Sequence, residues 1–203
     1  MKSVHIFGLG EYADVAAYYF GPAAAAFVVN EKYMTPEHRS FPVLTWETLT
    51  PAHPLFIAVG NNRERARLYQ EALGRGFELA DIISPDSNIR HAAYGRHTCI
   101  LEYNNVQPHV TLGDNCILWS GNHVGHHTKI GNHVFITSHV VISGGCDIGD
   151  YTFIGVNATL ADHITVCEGS IIAAGATVDR DVPPDSVWGR DGLSKVPAHR
   201  VKL

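Results

Sequence analysis

From position 100 to position 178 an aliphatic residue returns at every sixth place, fourteen times, without a gap or an insertion. The series opens Ile100, Val106, Leu112, Leu118, Val124, Ile130 and closes Leu160, Val166, Ile172, Val178. A period of six fits neither an isolated helix, with a repeat of about 3.6, nor a simple strand, with a repeat of about 2. It is the pattern of a coil whose sides are short strands, a parallel β-helix of hexapeptide repeats. Glycine often follows the aliphatic residue, as in LGDNCI, VGHHTK and IGNHVF. The fourth residue after it is mostly small or β-branched, for example Val110, Cys116, Thr128, Val134 and Ala158. Two inward side chains per hexapeptide then fill a narrow core, with turn residues between them.

Residues 1–84 follow another pattern, with strands predicted at 4–7, 26–29, 55–59 and 77–83 and helices at 11–20 and 63–74. Alternation of this kind implies a small parallel α/β sheet. Its first turn, Gly8-Leu9-Gly10-Glu11-Tyr12-Ala13, fits GxGxxA. Such a turn allows a phosphate close to helix N–H groups. A full dinucleotide fold needs two mononucleotide halves, and 84 residues supply barely one. The boundary falls at Ser84-Pro85-Asp86-Ser87, giving expected domains 1–84 and 85–182 and a tail, 183–203, that Pro183-Pro184 sets off.

Composition narrows the function classes. A formal charge of −5 without a basic stripe argues against nucleic acid. No run of about 20 apolar residues is present to span a membrane, and no long apolar leader precedes the first strand. The four cysteines form no CxxC pair and read as reduced packing residues of a cytoplasmic protein. Thirteen histidines are unusual. His127, His133 and His139 are spaced by six and suggest a metal site, but residues six apart lie on successive faces of a triangular coil and cannot meet around one ion within a subunit, which leaves only a site between subunits open. No metal is expected.

The segments IAVGNNRERARLYQ (57–70) and VGHHTKIG (124–131), together with the unbroken repeat, resemble the NeuD/PglD-type sugar O- and N-acyltransferases. The resemblance implies a small Rossmann-like sugar-binding domain followed by a left-handed β-helix, acetyl-CoA as co-substrate, and a homotrimer. It implies His126 as the catalytic base, with His127 where relatives often carry Glu. It implies CoA contacts near Gly144, Val156 and Ala174, and contacts to a sugar or nucleotide-sugar acceptor at Gly10, Glu11, Tyr12, Asn30 and Gly60. The tail departs from the family's GxPA, reading Trp188-Gly189-Arg190 and later Val196-Pro197-Ala198.

The chemistry is consistent with this assignment. Thioester acyl transfer needs a deprotonated nucleophile, and imidazole is the side chain that accepts a proton near neutral pH. Gly144 lies eighteen residues after His126, one coil on if three hexapeptides make a turn. The Gly144-Gly145 backbone is then expected to approach the thioester as donors to its oxyanion. The reading is N-acetylation of a nucleotide-linked amino sugar for a surface glycan. O-acetylation of a sialic-acid-like or polysaccharide acceptor, a metal-dependent β-helix hydratase and a non-catalytic binding trimer remain open as alternatives.

Overall fold

A computed structural model describes residues 3–89, 91–194, 197–198 and 201; Val196 of the altered tail lies outside them. The chain forms two compact units, Met1–Ile82 and Ile83–Leu203.

In the first unit, β1 (Val4–Phe7) leads into α1 (Glu11–Phe20), followed by β2 (Ala24–Val29), β3 (Glu37–His38), β4 (Phe41–Thr45), β5 (Leu55–Ile57) and α2 (Asn62–Gly74). The sheet order is β3-β4-β2-β1-β5. All neighbours pair in parallel except β3 with β4. The strand expected at 77–83 is not part of this sheet. Leu79 makes only an isolated bridge to Leu55, and Ile82–Ile83 pairs within the β-helix. The place of the fourth parallel strand is taken by β4, whose Pro42 and lack of a regular in–out alternation hide it from a pattern search. The core under the sheet is Phe7, Val28, Trp46, Leu55, Ile57, Leu68, Tyr69 and Phe77.

The second unit is a parallel β-helix. Every aliphatic residue of the series is the second residue of a two-residue strand. Strands pair eighteen residues apart, Leu112 with Ile130, Leu118 with Ile136 and Val124 with Ile142, so three hexapeptides make one coil and three sheets run along the axis. The inward side chains of Val124, Ile136, Ile142 and Ile154 are fully buried. Trp188 closes the end of this core, with Val187–Gly189 adding another strand beyond Ile171–Ile172. Its indole N–H donates to the Thr177 carbonyl at 2.9 Å.

Every sixth residue from 97 to 175, the third after each inward strand position, has positive φ without exception. Six of these fourteen slots are histidines: His97, His109, His127, His133, His139 and His163. The others are four glycines, Asn115, Asn157, Tyr103 and Tyr151. The left-handed region is strained for most side chains, and among non-glycine residues Asn, Asp and His enter it most readily. The excess of histidine is therefore largely a requirement of the turns.

Candidate active site

His126 sits in a turn between two sheets, two residues after Val124. Its backbone N–H donates to Oε1 of Gln107 at 2.9 Å, and its carbonyl accepts from the Gly145 N–H at 2.8 Å. The imidazole is exposed and lies against Gly144 of the next coil. A Cβ on Gly144 would stand 2.7 Å from His126 Cε1 and 2.9 Å from Nε2. The missing side chain at 144 is thus what gives the ring its place. The expected pair of oxyanion donors needs correcting: the Gly145 N–H is already bonded to the His126 carbonyl, which leaves only the Gly144 side of that pair.

His127 occupies a left-handed slot, φ 61°. Its Nδ1 lies 3.1 Å from Nδ1 of His126, with the two rings at 84°. His109, one coil earlier, stacks on His127 at 4.6 Å. His133 stacks on Tyr151, and the His139 ring lies against Gly121. The three histidines spaced by six thus stand on three different turn columns. No group of three or more His, Cys, Asp or Glu residues able to hold a metal occurs among the described residues.

Val156 and Ala174 share a second turn column; the Gly175 N–H donates to the Val156 carbonyl at 2.8 Å. Both side chains are exposed. This column and that of His126 and Gly144 border one sheet from opposite edges. The structure therefore brings Gly144 to His126, and Val156 to Ala174, but keeps the two pairs apart within one chain. Beyond Ala174, the Arg190 Nε donates to the Ala174 carbonyl at 3.3 Å. Sequence reasoning did not single out Arg190 as a site residue, although it falls where the tail departs from the family pattern.

In the first unit, a cavity of about 520 Å³ opens at the carboxyl ends of β1, β2 and β5. Phe7, Leu9, Val29, Val59 and Leu68 give it apolar walls, and Asn30, Tyr33 and Glu64 its polar groups. Hydrogen bonds from Arg67 hold the Glu64 carboxyl below its usual range, against the opposing effect of partial burial, with the charges of Arg67 and Lys32 adding to the shift. Of the residues expected to hold the acceptor, Asn30 lines this cavity, while Gly10, Glu11, Tyr12 and Gly60 do not. Gly10 is exposed at the start of α1, and Tyr12 packs edge-on against Phe56 at 5.9 Å. The glycine this turn requires is Gly8, with φ 125° and room for a Cβ only 3.0 Å from the Ala58 carbonyl. The two asparagines at the end of β5 have structural work. Asn61 caps α2 by accepting the Glu64 N–H at 3.0 Å, and Asn62 accepts from Arg65 at 3.0 Å. Arg65, fully buried, also donates to the carbonyls of Val59 and Gly60, both at 3.1 Å. Tyr33, Glu64 and Leu68 escaped sequence reasoning; the last two lie one turn apart on α2, a spacing that could have flagged them.

Comparison with known proteins agrees with this architecture. Residues 109–144 and 145–180 match the bacterial transferase hexapeptide (six repeats) family. No curated protein sequence gives a significant match. The acetyltransferase domain of PglB from Neisseria gonorrhoeae FA1090, solved in complex with acetyl coenzyme A, is 25% identical, with a TM-score of 0.86 over 96% of this chain and 99% of its own. PerB from Caulobacter crescentus, in complex with CoA and GDP-perosamine, is 24% identical, with a TM-score of 0.84 over 96% and 97%. WeeI from Acinetobacter baumannii AYE is 17% identical, with a TM-score of 0.83 over 96% and 99%. The chain thus has the fold of these solved acetyltransferases, and its second unit carries the hexapeptide repeats of bacterial transferases.

Proposed function

We propose that the protein is an acetyl-CoA-dependent N-acetyltransferase acting on a nucleotide-linked amino sugar for surface-glycan assembly. The observation that carries this reading is the seating of His126. Its imidazole faces solvent, its backbone is fixed on both sides, and its ring is set against a glycine of the next coil. A base must be reachable by substrate and held in one pose, and both conditions are met here.

The reaction balances without a metal. The sugar amine attacks the thioester carbonyl carbon and gives up a proton to Nε2 of His126. The C–S bond then breaks, the sulfur takes the proton from the imidazolium, and an amide and free CoA thiol result. Acetyl-CoA lies along the column of Val156 and Ala174, with its thioester towards Gly144. Because those residues stand at opposite edges of one sheet, we place the complete site between neighbouring copies in a cyclic homotrimer in the cytoplasm. The cavity at the carboxyl ends of β1, β2 and β5 takes the nucleotide end of the acceptor. Its apolar walls suit a ring, and Asn30 and Glu64 suit N–H and hydroxyl donors. The bound acetyl coenzyme A of the PglB domain and the CoA and GDP-perosamine of PerB support this reading.

The test is a panel of nucleotide-linked amino sugars offered with acetyl-CoA, read by thiol release. Each is paired with the same sugar carrying a hydroxyl in place of the amine. Release that depends on the amine is expected. Release with the hydroxyl sugars alone overturns N-acetylation, and no release from any pair overturns the activity.

A further inference from the structure

Two imidazole nitrogens face each other at 3.1 Å in the candidate site, Nδ1 of His126 and Nδ1 of His127. One proton lies between such a pair, so one ring donates and the other accepts. A His126 that takes a proton on Nε2 must already carry one on Nδ1. We infer that His127 is the neutral acceptor that holds His126 in this tautomer, a positioning residue in the role a carboxylate usually fills. The inference rests on the reading of His126 as the base.

The left-handed turn explains an imidazole at 127, since five other turn slots also hold histidine. It does not explain the rotation of this ring onto His126. The local column supports that rotation. His109 stacks on His127 at 4.6 Å with the rings 33° apart, so His127 is braced by a ring of the preceding coil. The remaining groups around the pair are the Gln107 amide, Gly144 and Gly145 one coil on, and His163, whose ring lies against Gly145. Asp162 follows Gly144 in the column of His126, a full coil further on.

Alanine at 127 removes this acceptor, so the His126 ring is free to take the tautomer that carries its proton on Nε2, where it cannot accept another. The loss therefore falls on kcat and leaves acetyl-CoA binding alone.

Asparagine is the discriminating replacement. It tolerates the left-handed turn, as Asn115 and Asn157 do. Its Oδ1 takes nearly the position of the imidazole Nδ1 and accepts the same hydrogen bond. We expect H127A to lose about tenfold in kcat, the effect of one hydrogen bond, with acetyl-CoA affinity unchanged. H127N should restore most of that loss. An H127N enzyme as impaired as H127A overturns the inference. So does an H127A enzyme that turns over like the wild type while H126A is inactive, and in that case the base assignment stands. If H126A itself retains full turnover, the reading of His126 as base fails, and this inference with it.

Discussion

Gly144 provides the most direct test of the His126 pose on which the proposed catalysis depends. The backbone there lies outside the left-handed region, so alanine introduces no torsional strain. Its Cβ would instead stand 2.7 Å from Cε1, 2.9 Å from Nε2 and 3.1 Å from Nδ1 of His126. Ordinary contact begins near 3.4 Å, so the ring must withdraw by about 0.7 Å. A displacement of about 1 Å in a reacting group can reduce the rate about 100-fold. For Gly144→Ala we therefore expect a loss of about 10- to 100-fold in kcat, or about 1.4 to 2.7 kcal/mol of activation free energy. The ring is exposed, so displacing it disturbs no packed core, and stability should change by about 0.5 kcal/mol or less. Gly145→Ala is the matched control. With φ 70° and a Cβ 2.5 Å from Nδ1 of His163, it strains the coil and not the base. It should destabilise by about 1–2 kcal/mol, the penalty of a left-handed side chain. Thiol-release kinetics and thermal melts of both variants decide the matter. A Gly144→Ala enzyme with wild-type kcat would show that His126 does not act from the position seen here.

Three further predictions follow from the same geometry. His126→Ala or His126→Asn should lose at least about 100-fold in turnover, the low end for general-base catalysis, while calorimetry finds acetyl-CoA binding intact. A bulky residue at Ala174 should weaken acetyl-CoA binding and spare the acceptor, as separate titrations with each ligand would show; the reverse result would misplace the CoA column. The first unit should lose stability as pH falls below about 6.5, because burial, with His53 beside it, holds the His5 imidazole below its ordinary range. Its folded pKa lies under its unfolded one, so the unfolded chain binds more protons in that window. Denaturant melts across pH should show the slope in the wild type and lose it in His5→Phe.

The β-helix was legible because its core imposes one rule at every coil. An aliphatic residue must point inward at a fixed interval, and Leu112, Leu118 and Val124 satisfy that rule whatever else the turn carries. Its handedness was not legible, since the period is the same in either sense, and only the family resemblance implied it. The small sheet was read with one strand misplaced. Residues 77–83 are apolar enough for a strand, but Phe77 is drawn into the core beside Trp46, 5.3 Å away, and Ile82 pairs elsewhere. The candidate site was legible in part. Gly144 could be set against His126 by counting eighteen residues, because register in a coil is arithmetic. The groups that fix the pose, Gln107 and the Gly145 N–H, could not be found that way. Glutamine at a turn carries no pattern, and a backbone donor leaves no trace in the sequence.

The left-handed slots also sharpen the argument for function. A histidine in a protein with thirteen of them carries little information until the structural ones are set aside. Six are accounted for by turns that select Asn, His or Gly, and His127 is among them. His126 is not. Its position, second after the aliphatic residue, holds Pro108, Asp114, Ser120, Asn132, Ser138 and Asp150 elsewhere in the repeat, a set with no shared shape or charge. The fold sets no requirement for imidazole there. What it does supply at that coil is a glycine above the ring, a glutamine bound to its backbone and a second imidazole nitrogen at 3.1 Å. A side chain that the repeat does not demand, held by three neighbours that fix its orientation, is better explained by chemistry than by packing.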